Sequence, residues 1–235
     1  MSVNINKFQQ PVGEALNAWT PRPFPERVTL VGRFCRLEPL NASHFADLLD
    51  AYSRAEDGRD WTYMFVGPFT HDDDCLCHLA DAAASRDPLH FAVIDAQSQR
   101  ATGTVALMRI EPKYGVVEVG HVAFSPLLQR TPAATESHFL LMQYAFETLG
   151  YRRYEWKCDS LNAPSRKAAL RLGFSYEGLF RQALVYKGRT RDTTWFSVID
   201  GEWPALRQGF ERWLAAGNFD AQGRQRRSLA ALRNE

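Results

Sequence analysis

Gln129-Arg130-Thr131-Pro132-Ala133-Ala134-Thr135-Glu136 is the run whose residue types and placement could do chemistry. It lies between an apolar strand, VEVGHVAF, and an amphipathic helical stretch, HFLLMQYAFETLG. A strand that runs directly into a loop and a helix N-terminus makes an anion site. The first-turn amides have no intrahelical acceptors, and the helix dipole adds positive potential. Ala133, Ala134 and Thr135 are small enough to let a diphosphate approach that backbone, and Arg130 adds a full charge at the mouth. The chemistry implied is the binding of a phosphate-bearing cofactor. Gly120 interrupts the preceding strand, where a glycine often marks a bulge or a close backbone approach.

The elements that must position this run fall in a readable order. Residues 1–27 form an extended arm, because Pro21, Pro23 and Pro25 forbid a regular helix, and Trp19 and Phe24 can pin it. Residues 28–40 are the first strand. Asn41 or Ser43 caps a helix through about Tyr52, with Phe45, Leu48, Leu49 and Tyr52 at helical spacing. Thr70 caps a second helix with Leu76, Leu79 and Ala83 inward. Two strands follow, Leu89–Asp95 and Thr102–Glu111, joined by a hairpin turn. After the two units around the candidate site come a strand near Leu184–Tyr186, a turn at Lys187-Gly188-Arg189, the strand Asp192–Ile199, and a helix Trp203–Ala216. The predicted division is an arm at 1–27, one domain at 28–216, and a polar Arg-rich tail at 217–235.

Composition narrows the classes. With 235 residues and 45% hydrophobic content, one substantial core needs no disulfide or metal. A formal charge of +1 argues against a general nucleic-acid binder, and the short arginine run Arg224, Arg226, Arg227 is expected to be a solvated tail. The chain has no membrane-spanning run and no basic-then-apolar leader, and its four scattered cysteines suit reduced thiols; a cytoplasmic protein is expected. The cluster from His71 to His78, with Cys75 and Cys77, could offer soft ligands. Two cysteines two apart on a helix face different ways, however, so no metal is expected.

The run at 129–136 resembles the pyrophosphate loop, Gln/Arg-x-x-Gly-x-Gly/Ala, of the GNAT superfamily of acyl-CoA N-acyltransferases. Asn162-Ala163-Pro164-Ser165, then Leu172-Gly173-Phe174 and Glu177-Gly178, resemble its RimJ/RimL-like branch. So do Gly188-Arg189, Arg191-Asp192, Glu202-Trp203-Pro204 and, upstream, Leu30-Val31-Gly32-Arg33 with Arg36-Leu37-Glu38-Pro39. The likeness covers about residues 27–215. One departure stands out: Pro132 takes the place of a glycine and has no N–H to donate.

The resemblance implies an α/β (α+β) fold, a mixed twisted sheet with helices on both faces. In that fold the strand ending at Phe124 and the strand starting near Arg153 splay, and a pantetheine arm pairs with exposed amides between them. Val122, Phe124, Gln129, Arg130, Thr131, Ala133, Ala134, Thr135 and Asn162 become the candidate cofactor-binding residues. The implied chemistry is attack of an amine on the acetyl-CoA thioester in a ternary complex, with no metal. It needs a base for the ammonium proton and a donor for the leaving thiolate.

Glu118, eleven residues before Gln129, is the base candidate; a surface glutamate or a water relay are the competing readings. Ser165, three residues after Asn162, is the candidate thiolate donor, against a role confined to the first helical turn. Tyr186 is a further thiol-side candidate or a core residue. Acids at 72–74 with Glu56, Asp57 and Asp60 would attract a cationic amine or form a solvated face. Trp61, Tyr63, Phe65 and Phe69 line the acceptor pocket or pack the core. The acceptor is a small-molecule amine or a peptide N-terminus, and a homodimer is left open. The rivals are a succinyl-CoA transferase, with Arg109 or Lys157 on the acyl carboxylate, and a CoA-binding regulatory module without turnover.

Overall fold

Residues 4–233 are described by a computed structural model. Its centre is an eight-stranded sheet: β1 (Leu30–Val31), β2 (Cys35–Pro39), β3 (Leu89–Asp95), β4 (Ala101–Glu111), β5 (Val116–Phe124), β6 (Arg153–Asp159), β7 (Ser175–Tyr186) and β8 (Arg189–Ile199). The spatial order is β1-β2-β3-β4-β5-β6-β8-β7. All neighbours are antiparallel except β5 and β6. The sheet is thus mixed, as the resemblance implies. β7 is far longer than the three residues that the sequence pattern suggests; its mostly exposed edge residues carry no alternation to read.

β3 is a near-continuous apolar run because both its faces are covered. Phe91 and Val93 enter the main core, while Ala92 and Ile94 enter a second, smaller one. The smaller core packs under α1 (Phe45–Ser53) and α2 (Asp72–Ala84). Asn41 caps the turn leading into α1, its Oδ1 accepting from the Ser43 amide at 3.0 Å. Thr70 does not cap α2: His71 is the N-cap residue and makes no side-chain cap bond. Asp72, Asp73 and Asp74 compensate the helix dipole there. Cys75, Leu79 and Ala82 are the buried positions of α2, one step round from the predicted face.

The main core holds α3 (Pro132–Gln143) and α5 (Trp203–Leu214), and Leu229 and Leu232 of the short α6 (Leu229–Arg233) enter it too. The chain past residue 217 therefore does not run as a solvated tail. α4 (Ala163–Leu172) ends in Gly173, whose φ of 100° suits a left-handed helix stop. The N-terminal arm docks far from α3's start. Trp19 Nε1 donates to the Lys113 carbonyl at 2.9 Å, and the Tyr151 hydroxyl donates to Pro23 O at 3.0 Å.

α3 departs from the amphipathic reading: it starts at Pro132, ahead of His138, and is buried on nearly every side. Its one carboxylate explains how that is tolerated. Glu136 accepts from the backbone amides of Arg33 (2.8 Å), Phe34 (2.6 Å) and Cys35 (2.8 Å), in the β1–β2 turn. Three charge-assisted bonds satisfy three amides and replace the water that the carboxylate loses. Gly32 is required beside it, because a Cβ there would meet the Glu136 carboxyl carbon and oxygens. Glu136→Ala should therefore cost about 3 kcal/mol or more, since each buried amide left unsatisfied costs about 1–3 kcal/mol. Gly32→Ala should cost about 1–3 kcal/mol through overpacking. Urea unfolding midpoints of the two variants would check this, and a Glu136→Ala midpoint equal to the parent's would refute it.

Candidate active site

β5 and β6 pair through only four registers, from Val116 opposite Arg153 to Val119 opposite Trp156. β5 then continues to Phe124 and β6 to Asp159 with no ladder between them. The cause lies in β5. Its register with β4 slips between Gly120 and Ala123, and His121 takes a φ of 47°. Such a bulge bends the strand that carries it. Gly120 makes the close approach that the sequence suggests, since a Cβ there would run into Met108 Sδ. Beside the end of β5 lies a cleft of about 140 Å³, lined by Val122, Phe124 and Gln129 on one side and by Tyr52, Asp60, Trp61 and Met64 on the other. Three candidate cofactor residues thus share one wall.

At the far end of β5 the loop delivers α3. Thr131 is its N-cap, Oγ1 accepting from the Ala134 amide at 3.2 Å. Pro132 occupies the first helical position, where no N–H is needed by the helix. Its ring therefore leaves the helix intact and removes one outward donor. The Arg130 and Ala133 amides have no acceptor among the described residues. Arg130 is exposed, with a φ of 61°, an unusual value for a non-glycine residue. Thr135 is placed differently from expectation: it is buried, and its Oγ1 accepts from Arg171 of α4 at 3.0 Å. Ala133 faces the core with its methyl, so only its backbone reaches the anion position.

Beyond the opening of β6, Asn162 caps α4, its Oδ1 accepting from the Ser165 amide at 3.1 Å. The Ser165 hydroxyl accepts from Trp156 Nε1 at 3.0 Å and has its own proton to donate, with the Cys158 sulfur as one neighbour that can take it. Cys158 lies close by, its thiol pushed up by burial while Ser165 pulls it down. Tyr186 is core-bound, donating to Asp159 at 2.7 Å, and burial together with that carboxylate pushes its hydroxyl up to about 12.

Sequence reasoning missed His138. It sits on α3 between the rings of Phe124 (5.6 Å) and Trp156 (5.2 Å), at the base of the opening. Burial pushes its imidazole down to about 4, so it is neutral. A lone histidine opening the apolar run HFLLM was the available signal.

Glu118 is buried, with 5% of its surface exposed, on the paired part of β5, and does not line the cleft. Its Oε2 meets Lys157 Nζ at 2.7 Å and Arg109 Nε at 3.4 Å. Burial nevertheless pushes its carboxyl up, with Lys157 and then Arg109 opposing. Lys157 is also held by Glu155 at 2.6 Å and lies over the Trp195 ring. Both cations suggested for an acyl carboxylate are thus engaged by Glu118. Of the acceptor acids, only Asp60 reaches the cleft, accepting from Gln129 Nε2 at 3.0 Å. Arg59, by a side-chain hydrogen bond, draws the exposed Asp57 carboxyl down to about 2. Trp61 and Phe69 pack edge to face, while Tyr63 and Phe65 reach towards Leu161 and Tyr186. No helix of the described residues is long and apolar enough to cross a membrane.

Comparison with known proteins agrees with this geometry. The acetyltransferase (GNAT) domain family matches residues 35–175. A crystal structure of a GCN5-related N-acetyltransferase from Brucella melitensis is 51% identical, with a TM-score of 0.92, covering 94% of this chain and all of that one. An uncharacterized N-acetyltransferase, p20, from Bacillus licheniformis is 29% identical over 144 residues, 60% of this chain and 80% of that protein. The structure of RimL, a ribosomal L7/L12 alpha-N-protein acetyltransferase, shares the fold at 19% identity and a TM-score of 0.63, over 77% of this chain and 98% of that one. A strand pair that opens beside a helix N-terminus, in a chain with these relatives, is that of an acyl-CoA-dependent acetyltransferase, and this protein belongs to the GNAT family.

Proposed function

We propose that the protein moves an acetyl group from acetyl-CoA to a primary amine, by direct transfer in a ternary complex. The observation that carries this reading is the opening after Val119 and Trp156, with a helix N-terminus at one end and the Ser165 hydroxyl at the other. The residues present fit a CoA thioester. The Arg130 and Ala133 amides and the Arg130 guanidinium would hold the diphosphate. Val122, Phe124 and Asn162 would hold the pantetheine amides, with Thr131 and Ala134 shaping the turn. The thioester supplies an activated acyl carbon. Ser165 donates to the sulfur as charge develops there, and the Asn162 cap keeps that hydroxyl in place. Glu118, held up by burial, takes the proton released from the amine through a water, and Lys157 fixes its orientation. The acceptor is a small amine or a peptide N-terminus. RimL, which by its description acts on a protein α-amino group, is the reason to include the latter. Incubating the protein with acetyl-CoA and a panel of amines and N-terminal peptides, with thiol release and product masses as readouts, tests the proposal. A CoA-binding protein that releases no thiol with any acceptor would sink it.

Arg130→Glu should leave the fold intact, because the Arg130 side chain makes no bond among the described residues, and should weaken CoA binding tenfold or more. That corresponds to the loss of a charge-assisted hydrogen bond, about 1.5–3 kcal/mol. Calorimetry that finds CoA and dephosphorylated pantetheine bound equally tightly by the parent would refute the diphosphate site.

Ser165→Ala should lower kcat about tenfold to a thousandfold with little change in acetyl-CoA affinity, as expected for a donor used mainly in the transition state. Trp156 also loses its acceptor, so the melting temperature should fall slightly. Parent turnover with only that fall would make Ser165 purely structural.

Glu118→Gln should lower kcat/KM about 100-fold or more near neutral pH. Because burial raises the Glu118 pKa, the parent's rate should rise with pH through that raised value. The variant should lose that limb, and its defect should narrow as bulk solution deprotonates the amine. A defect that stays constant across pH would assign Glu118 to packing.

A further inference from the structure

Arg191 is a buried cation that forms no ion pair among the described residues. It lies on β8 with 7% of its surface exposed. Its Nε donates to Thr193 Oγ1 at 3.1 Å, and its terminal nitrogens have no acceptor among the described residues. The rings of Phe65 and Tyr186 lie 5.4 and 5.8 Å from its guanidinium carbon. The neighbouring cations are all engaged. Lys187 donates to the Trp61 and Val66 carbonyls, Arg189 to the Thr62 carbonyl, and Lys157 pairs with Glu118 and Glu155. Asp159, on the adjoining strand, is also taken, by the Tyr186 hydroxyl at 2.7 Å and the Leu161 amide at 2.8 Å. A guanidinium held among rings, with no protein acceptor on its terminal nitrogens, keeps those donors for an arriving anion.

Its place in the fold says which kind of ligand. Thr193 and Thr194 of β8 pair with Asp159 and Cys158, the part of β6 beyond the opening. Arg191 stands two residues before Thr193, and the carbonyl of the next residue, Asp192, accepts from the Ser160 amide at 2.8 Å in the turn that leads to α4. The 61–66 segment closes over it, with the Tyr63 hydroxyl on Leu161 O at 3.2 Å and Phe65 against Tyr186. Rings near the guanidinium leave its edge as the approach, and a carboxylate meets that edge with two parallel N–H···O bonds.

We propose that Arg191 is the recognition residue of a carboxylate subsite, filled either by a carboxylate on the acceptor or by one at the far end of the donor's acyl chain. This rests on the transferase reading above; Lys157 is held by Glu118 and Glu155 and Arg109 lies beside Glu118, whereas Arg191 forms no ion pair among the described residues.

The test uses two matched pairs on the full chain. One pair is an amino acid or peptide against its amide-capped form, with acetyl-CoA as donor. The other is succinyl-CoA against butyryl-CoA, with one neutral acceptor. The carboxylate member of one pair should react tenfold or more faster, which identifies the source. Arg191→Gln should remove that preference while leaving the other member's rate within about twofold. Equal rates within both pairs in the parent, or an Arg191→Gln variant that keeps the preference, would overturn the subsite. If the variant does not fold, the parent's melting temperature decides. Sodium succinate should raise it above sodium chloride at equal ionic strength, and no difference would overturn the subsite. If no acceptor releases thiol, the transferase reading fails, while the succinate shift still judges the subsite.

Discussion

Everything functional in this protein depends on a parallel strand pair being prevented from zipping to its end. β5 and β6 share four registers and then part, because a bulge at His121 bends β5 away. Unpaired backbone inside a fold is ordinarily costly, so an opening of this kind persists only where the surroundings enforce it. Here they do so from three sides. α3 lies beneath with His138 between Phe124 and Trp156, Tyr52 reaches up to the Ala123 carbonyl at 3.3 Å, and β8 holds the outer side of β6 in full register. The opening is held by the frame on every one of these sides.

Two buried glutamates show how the frame divides its charges. Glu136 is surrounded by three backbone amides and ties α3 to the first turn of the sheet. Glu118 is buried to a similar degree but faces side-chain cations on one oxygen, and burial raises its carboxyl. The first arrangement fastens a helix to a turn, and the second leaves a carboxyl that burial raises. Residue type is the same in both; the donors differ.

Much of this was legible in the residues. The order of elements, the helix start at 131–132 and the Asn162–Ser165 cap follow from spacing, small residues and caps, which are local properties of the chain. The eventual fold followed from resemblance, because a splay between strands depends on which strands meet. The long-range facts were closed to sequence reasoning. Nothing near Thr135 announces that Arg171 will take its hydroxyl, and nothing near Lys157 or Arg109 announces Glu118. The full burial of α3 depended on α5 and α6 arriving from far along the chain. The exposed edge strand β7 was read short because its mostly exposed residues carry no alternation. Arg191 belongs to a sequence pattern, but that it forms no ion pair among the described residues is visible only in three dimensions.

The bond from Arg171 to Thr135 has a consequence for how the substrate is measured. Arg171 belongs to the last turn of α4, and Thr135 to the first turn of α3. Ser165 stands in the first turn of α4, so the helix between Ser165 and Arg171, about 9 Å long at 1.5 Å per residue, is bolted by its far end to the N-terminus of α3, where the diphosphate is proposed to sit. The two ends that would grip the donor are therefore joined by a rigid rod whose length is counted in residues. α4 acts as a ruler: a donor arm of the wrong length could satisfy one end and miss the other.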